Sequence, residues 1–177
     1  MLVMQDPPPG SSELSYVQRA LEAGELVVVP TDTVYGLAAA ASDEAAVRRM
    51  YACKGRDAVQ PTAAVFASIG QLLDHLPDVD VRSRWAIHSL LPGPFTLVLD
   101  NPTGLWPWLT GDATGPIGVR VPAGSLELPP IAATSANPAG EPTASNLGAL
   151  PSSITDEVTC AIDRGELRAD AASTVLD

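Results

Sequence analysis

The sequence predicts an α/β protein in which helices flank a twisted, mixed β-sheet, and three observations lead to this prediction. Short apolar runs rich in valine or alanine alternate along the chain with segments of helical periodicity. The first run, ELVVVP (25–30), is continuously apolar, which is typical of a strand buried on both faces. Polar clusters follow several of these runs directly, and in α/β folds ligands bind where strands end.

The secondary structure is predicted from these patterns in chain order. Helices are expected over 12–23, 42–53, 69–76 and 80–90, with a short helix at 145–150. Strands are expected at 25–30, 62–67, 96–100, 117–122, 130–134, 158–163 and 173–177, and a loop rich in Pro, Gly and Thr at 101–115. Residues 1–12 are expected to form a loose leader and residues 13–177 a single domain.

The aromatic and histidine side chains are expected to have structural roles. Trp85 is placed on the apolar side of helix 80–90, and Trp106 and Trp108 are expected to anchor the core and a loop. His75 and His88 lie on predicted helices outside any motif, so they are interpreted as surface or packing residues.

Composition excludes several classes of protein. Apolar residues make up 46% of the 177 residues, too many for a disordered chain, and no apolar run reaches the roughly 18 residues of a membrane span. The net charge of −11 disfavours non-specific binding to nucleic acid. Two unclustered cysteines, Cys53 and Cys160, are expected to be reduced thiols, and the chain is expected to be cytoplasmic.

Three polar clusters that follow predicted strands indicate a binding site before any family is considered. These are Thr31-Asp32-Thr33, Arg120, and Thr134-Ser135-Ala136-Asn137. Six strings then occur in a fixed order: VVVPTDTVYGLAAAA, KGRDAVQP, LPGPFTLVL, IGVRVP, ATSANPAGEPTAS and ASTVLD. In this order and spacing they resemble the YrdC-like family, the threonylcarbamoyl-AMP synthases, from about residue 24 to residue 177.

The resemblance implies the YrdC-like fold with a concave ligand pocket, and an enzyme that joins L-threonine, bicarbonate and ATP into threonylcarbamoyl-adenylate with release of pyrophosphate. It also implies Mg²⁺ held mainly by the ATP phosphates, a downstream threonylcarbamoyl transferase complex that modifies tRNA, and a weak contact with tRNA. No protein metal site and no membrane partner are expected. Because the reactants are anionic or zwitterionic, catalysis should depend on positioning and on cations.

The resemblance also assigns roles to single residues. It implies Lys54 and Arg56 as catalytic cations. The residues that it implies for ATP are Lys54, Arg56, Gln60, Asn137 and Ser145. The residues that it implies for threonine are Thr33, Tyr35, Arg120, Ser135 and Ser173.

Each of these residues also has a structural interpretation. Lys54 and Arg56 follow a helix and could simply face solvent at its negative end, and Arg120 could pair with a carboxylate at the edge of the sheet. Ser145 could cap a short helix, and Ser173 could belong to an ordinary strand.

The chain departs from the family pattern at several points. Gln60-Pro61-Thr62 stands where the family has a Lys-Pro-Leu or Asn-Pro-Leu type of sequence, and Ala172 replaces a proline. The segment between Arg120 and Ser135 is short, and the sequence stops at Asp177, where many relatives continue.

Two alternative functions follow from these departures and from the family's range. One is a divergent YrdC-like protein that binds nucleotide or RNA without synthase activity, with Arg48, Arg49, Lys54 and Arg56 as its basic residues. The other is a related carbamoyl-adenylate enzyme that uses carbamoyl phosphate, which the short chain disfavours.

Overall fold

A single mixed β-sheet organises the chain. The computed structural model describes residues 1–55, 60–111, 115–124, 126–138, 140–167 and 173–177. Within these ranges nine strands form one sheet in the order β1-β8-β2-β3-β7-β4-β6-β5-β9. The strands are β1 (Leu2–Gln5), β2 (Leu26–Pro30), β3 (Tyr35–Ala40), β4 (Ala64–Val65), β5 (Phe95–Leu99), β6 (Ile117–Arg120), β7 (Ile131–Ser135), β8 (Val158–Asp163) and β9 (Thr174–Leu176).

The described helices connect these strands and cover the sheet. They are α1 (Ser12–Glu22), α2 (Glu44–Cys53), α3 (Ile69–His75), α4 (Val81–Leu90), α5 (Pro107–Thr110) and α6 (Ser152–Thr155), with a 3₁₀ turn at Leu147–Ala149. Both parallel and antiparallel strand pairs occur, so the predicted mixed α/β sheet is confirmed. None of the described helices combines the length and the apolar character needed to cross a bilayer.

The centre of the sheet is the β2–β3 hairpin. Every residue of β2 is buried, as its continuous apolar run predicts. β3, with the sequence YGLAAA, is also wholly buried and pairs antiparallel with both β2 and β7. This strand is not among those predicted from the sequence, because alanine and glycine have low strand propensity. Its neighbours on both sides supply the hydrogen bonds and the burial that keep it extended.

Helix ends are fixed by side-chain caps that the sequence contains. Ser11 Oγ accepts the Leu14 N–H at 3.1 Å at the start of α1, and Asp43 accepts the Ala46 N–H at 3.0 Å at the start of α2. α2 ends at its C-cap residue Lys54. The helix therefore delivers the chain's one lysine to a defined place above the sheet.

The two faces of the sheet carry separate apolar clusters. Along β2 and β3 the side chains alternate, so that Val28 and Leu37 join one cluster, while Val27 and Ala38 join the other. α2 packs its buried side chains into the first cluster and α1 into the second. Helices on both faces agree with the predicted layered arrangement.

The tryptophans only partly match their predicted placement. Trp106 is 8% exposed and Trp108 donates its indole N–H to Ala41 O at 2.9 Å, which confirms them as core and loop anchors. Trp85 is 70% exposed, so its predicted apolar-side position is wrong. In α4 Ile87 is the buried residue, and the narrow contact of this helix with the sheet leaves Trp85 outside.

The histidines and cysteines behave as expected. The His75 ring lies 5.5 Å from the Trp106 ring, centroid to centroid, while His88 is exposed. Both cysteine thiols are free. Burial raises the pKa of the Cys160 thiol to about 11, which keeps it protonated and unreactive at neutral pH.

The N-terminal segment differs from the expected loose leader. Residues 2–5 form β1, which pairs in parallel with β8, and Met4 is buried. The unpaired edge of β8 supplies the hydrogen-bond partners that order this segment. The predicted strand at 62–67 is reduced to β4, and the predicted loop at 101–115 contains the short helix α5.

Candidate functional site

The buried ammonium group of Lys54 lies against the end of β7. Lys54 is 6% exposed, and its Nζ donates to Ser135 O and, at 3.3 Å each, to Thr134 Oγ1 and Ser135 Oγ. This contact joins the end of α2 to a strand 80 residues further along the chain. The interpretation that Lys54 faces solvent is therefore wrong, and Lys54 and Ser135 belong to one cluster.

The guanidinium of Arg120 lies against the β2–β3 connection. Arg120 is 9% exposed, and its Nη2 donates to Asp32 Oδ1 and, at 2.9 Å, to Thr33 Oγ1. The second oxygen of Asp32 accepts the Ala123 N–H at 3.1 Å. Nε of Arg120 is buried without a hydrogen-bond partner among the described residues. Arg120 thus forms the ion pair that its structural interpretation describes, and one buried donor is left over.

Gly36 lies between the Lys54 cluster (Lys54, Thr134 and Ser135) and the Arg120 cluster (Arg120, Asp32 and Thr33). It pairs with Ser135 across β3 and β7. A β-carbon added at Gly36 would lie 3.6 Å from Thr134 O and 3.8 Å from Thr31 Cγ2. Thr31 Oγ1 in turn lies 3.0 Å from Thr33 Oγ1. The two cationic side chains thus meet polar strand ends that are neighbours in the sheet, as the convergence of polar clusters predicts.

Asn137 orders the turn that follows this strand end. Its side-chain N–H groups donate to Pro138 O at 3.0 Å and Glu141 O at 2.5 Å, and its Oδ1 is buried without a partner among the described residues. Ala136 N donates to Tyr35 O at 2.8 Å, which ties the same turn to β3. A buried amide oxygen without a donor is a place where a ligand N–H could bind.

Tyr35 is fully buried, and its hydroxyl holds the turn after β8. The hydroxyl lies 2.7 Å from Gly165 O and 3.1 Å from Asp163 Oδ1, and it accepts the Arg164 N–H at 3.0 Å. Burial raises the pKa of the Tyr35 phenol, and the hydrogen bond from Arg164 partly opposes that rise. The Tyr35 side chain thus stabilises the turn that follows β8.

Replacing Tyr35 by phenylalanine is expected to lower the free energy of unfolding by about 1–2 kcal/mol, because the partly buried polar groups around the hydroxyl lose their partner. A pKa raised above the ordinary value of 10.0 means that the folded chain holds its proton after the unfolded chain has lost it. Stability from this group is therefore complete below pH 10 and is lost as pH rises further. Tyr35→Phe should lack that component of the alkaline loss.

Urea unfolding at neutral pH and at about pH 11 would measure both effects. Tyr16→Phe is the matched control: Tyr16 is exposed, so this variant should leave the free energy of unfolding at neutral pH unchanged. Identical alkaline loss in the wild type and Tyr35→Phe would contradict the assignment.

Ser173 directly precedes β9, and β5 lies between β9 and β6, the strand that ends at Arg120. Its hydroxyl is 2.9 Å from Thr96 Oγ1 in β5. Thr174 N donates to Pro94 O, and Gly93 N donates to Val121 O, the residue after Arg120. The segment 93–94 therefore connects Ser173 to the end of β6, although no direct contact with the Arg120 side chain is present.

The remaining predicted residues are placed less clearly. Ser145 is exposed, and the cap of the following 3₁₀ turn is Asn146, whose side chain accepts the Ala149 N–H at 3.0 Å. The interpretation of Ser145 as the cap is therefore wrong by one residue. Gln60 is exposed, and Arg56 lies outside the described residues.

Three residues with well-defined contacts were not assigned an individual role from the sequence: Asp32, Thr134 and Arg164. Asp32 and Thr134 lie inside recognised motifs, so their polar character was a usable signal, but their partners are about 80–90 residues away. Arg164 had no signal at all, because it is a single arginine after β8.

Two cavities differ in their position relative to these clusters. A small apolar cavity of about 30 Å³ adjoins the Arg120 cluster and is lined in part by Thr31, Phe66, Pro122 and Leu128. A larger cavity of about 340 Å³ between residues 76–83 and 99–103 contains none of the predicted site residues. We place the site at the Lys54 and Arg120 clusters, because charge and strand ends converge there. Among the described residues, no group of three or more His, Cys, Asp or Glu side chains could hold a metal ion.

The fold and the site define an α/β protein that presents a buried ammonium and a buried guanidinium at neighbouring strand ends, an arrangement suited to anionic ligands. The chain belongs to the Sua5_yciO_yrdC family, described as "Telomere recombination", whose pattern matches residues 19–177. The family predicted from the six strings is thereby confirmed.

Relatives that match most of this chain are named threonylcarbamoyl-AMP synthase or putative threonylcarbamoyl-AMP synthase, and their chains are longer than this one. The Threonylcarbamoyl-AMP synthase of Pyrococcus abyssi is 36% identical over 89% of this chain and 48% of its own length. A Mycobacterium leprae relative is 34% identical over 97% of this chain and 80% of its own length. The crystal structure of P. abyssi Sua5 complexed with L-threonine matches with a TM-score of 0.89 and 32% identity, covering 100% of this chain and 54% of that one. The chain thus spans about half the length of the P. abyssi relative.

Proposed function

We propose that the chain is a cytoplasmic threonylcarbamoyl-AMP synthase that forms threonylcarbamoyl-adenylate from L-threonine, bicarbonate and ATP and releases pyrophosphate. The observation that carries this proposal is a pair of buried cations in a chain whose net charge is −11: Lys54 lies against the end of β7, and Arg120 lies against the β2–β3 connection, which leads into the strand next to β7. Arg120 is paired with Asp32, but its buried Nε–H still lacks an acceptor, and a buried donor of this kind beside a second cation favours an anionic substrate. The name and bound amino acid of the P. abyssi relatives favour the particular reaction.

The proposed chemistry has two steps. The neutral threonine amine forms a C–N bond to the carbon of bicarbonate, the C–OH bond breaks, and the hydroxide leaves as water with a proton from the amine, which gives an N-carboxylate. An oxygen of that carboxylate then bonds to the α-phosphorus of ATP, and the bond from that phosphorus to the pyrophosphate oxygen breaks. Negative charge gathers on the phosphate oxygens and on the leaving pyrophosphate, so positioned cations should provide most of the stabilisation.

Lys54 is proposed to stabilise this charge. Its ammonium has three N–H donors, which are directed at Ser135 O, Ser135 Oγ and Thr134 Oγ1, so a phosphate oxygen would replace one of the two hydroxyl acceptors at 3.3 Å while the other contacts keep the ammonium in place. Arg56 and Gln60 are also proposed to bind ATP. Asn137, with its unpartnered Oδ1, is proposed to accept a hydrogen bond from the base.

Arg120 is proposed to bind the threonine carboxylate. Asp32 and Thr33 occupy Nη2, and the buried Nε still lacks an acceptor that a carboxylate would provide. Ser135 and Ser173 are proposed to contribute hydroxyls to the amino acid. Tyr35 is proposed to act by holding the turn after β8. Ser145 is proposed to approach the phosphates.

Mg²⁺ is proposed to arrive with ATP. The described residues contain no cluster of acidic or histidine side chains suited to a metal ion, so the phosphates would provide its ligands. The product would pass to a separate transferase complex that modifies tRNA, with at most a weak tRNA contact here.

The described basic residues do not favour the RNA-binding alternative. Arg48 pairs with Glu44, Arg49 donates to Gly24 O, and Lys54 is buried. Cations used in this way do not form the exposed basic stripe that RNA binding needs.

The test is pyrophosphate release from ATP by the purified chain, with threonine and bicarbonate each omitted in turn. We expect release only when all three substrates are present. ATP turnover that is indifferent to threonine, or that needs carbamoyl phosphate instead of threonine, would contradict the proposal. Salt-sensitive tRNA binding without any nucleotide turnover would support the RNA-binding alternative.

A further inference from the structure

The connection between β6 and β7, called here the β6–β7 loop (residues 121–124 and 126–130), is held by side chains from four different parts of the chain. The contacts are Asp32 Oδ2 with Ala123 N at 3.1 Å, Arg164 Nη1 with Gly124 O at 3.0 Å, Gln18 Nε2 with Glu127 O at 2.7 Å and Gln71 Nε2 with Leu128 O at 3.0 Å. A loop fixed at four backbone groups has little freedom to move.

Arg164 occupies a special place among these contacts. Its side chain also donates from Nε to Asp6 Oδ1 at 2.8 Å, and its backbone N–H donates to the Tyr35 hydroxyl at 3.0 Å. One residue therefore joins the N-terminal segment, the β6–β7 loop and the interior of the sheet. The Arg164 side chain is 30% exposed and that of Asp6 is 55% exposed, so the arginine is held between its partners although the ion pair is open to water.

The same loop is linked to Arg120 by hydrogen bonds through Asp32. Gly124, which Arg164 holds, is next to Ala123, whose N–H binds one oxygen of Asp32. The other oxygen of Asp32 binds the Arg120 guanidinium. Only two links, the Gly124–Ala123 peptide and the Asp32 carboxylate, separate the Arg164 contact from the guanidinium.

We propose that Arg164 is a positioning residue for the amino-acid site: by fixing the β6–β7 loop it fixes Asp32, and through Asp32 it orients the Arg120 guanidinium toward the substrate carboxylate. The inference rests on the proposed function. It assigns Arg164 to threonine binding and leaves the nucleotide side of the site, around Lys54, independent of it. A displaced binding group can cost a large factor in substrate use even when the change lies outside the site.

The test is Arg164→Gln, which removes the charge and cannot hold Asp6 and Gly124 together. We expect the Kd and the KM for threonine to rise about tenfold, since a hydrogen bond from a charged donor contributes about that factor. The Kd for ATP should stay unchanged. Arg48→Gln is the matched control, because it removes the same charge from an exposed pair with Glu44 and should change neither constant.

Arg164→Lys, which can reach one partner at a time, should give an intermediate threonine Kd, and it serves in place of Arg164→Gln if that variant does not fold. An unchanged threonine Kd in a folded Arg164 variant would overturn the inference while leaving the proposed function intact. Equal loss of threonine and ATP binding would also overturn it, because it would indicate a general structural role. Failure of the wild type to bind threonine would instead reject the proposed function, and the inference with it.

Discussion

Lys54→Ala is expected to lower the rate of threonine-dependent pyrophosphate release by about 10²–10³-fold, the loss typical when one preorganised donor to a developing charge is removed. The ammonium is 6% exposed and is held by Ser135 and Thr134, so water cannot replace it easily. The effect should fall mainly on kcat, because negative charge on the α-phosphate group increases as the reaction proceeds.

Arg48→Ala is the matched control for this variant. Arg48 lies on the same helix and carries the same charge, but it is exposed and pairs with Glu44. Its loss should leave the rate unchanged. Thermal melting of both variants separates lost chemistry from lost folding. Release by a folded Lys54→Ala protein at the wild-type rate would contradict the assignment of Lys54.

Arg120→Gln is expected to affect both folding and binding. The Arg120 and Asp32 side chains are 10% and 12% exposed, and removing one partner leaves the other charge buried without its counterion. The expected loss is about 3–5 kcal/mol in the free energy of unfolding. Threonine binding should be lost as well, because glutamine lacks the forked donor for a carboxylate.

The double variant Asp32→Asn/Arg120→Gln distinguishes these two effects. It removes both charges, so most of the lost unfolding free energy should return. Threonine binding should not return, because the guanidinium is still absent. Urea unfolding and isothermal titration calorimetry with threonine are the measurements. A double variant that regains threonine affinity would show that Arg120 does not bind the carboxylate.

The sequence predicted those parts of the fold whose pattern is local. β2 has a continuous apolar run, and α1 and α2 have helical periodicity with a capping residue in place, so each was predicted nearly to its ends. β3 was not predicted, since its alanine and glycine residues become a strand only when β2 and β7 lie on either side. Trp85 was misplaced because periodicity cannot show how much of a helix face the sheet covers.

For the site, the sequence predicted the participating residues better than their partners. Lys54, Arg120 and Ser135 were selected by motif, and the structure places Lys54 and Ser135 in direct contact. Asp32 as the partner of Arg120 could not be chosen from sequence, since 88 residues separate them and several carboxylates were available. The contacts of Tyr35 and Arg164 with the turn after β8 depend on the sheet order, which no local pattern contains.

The order of the strands also has a consequence for how the chain folds. β2 and β3 are joined by a short turn, so this hairpin can form early at little loop-closure cost, whereas β1 must find β8 more than 150 residues away. The β2–β3 hairpin, whose turn contains Thr31–Thr33, can therefore act as a local folding nucleus. The amide protons of β1 should exchange with solvent long before those of β2 and β3, so the region that carries the amino-acid site would be among the last to open.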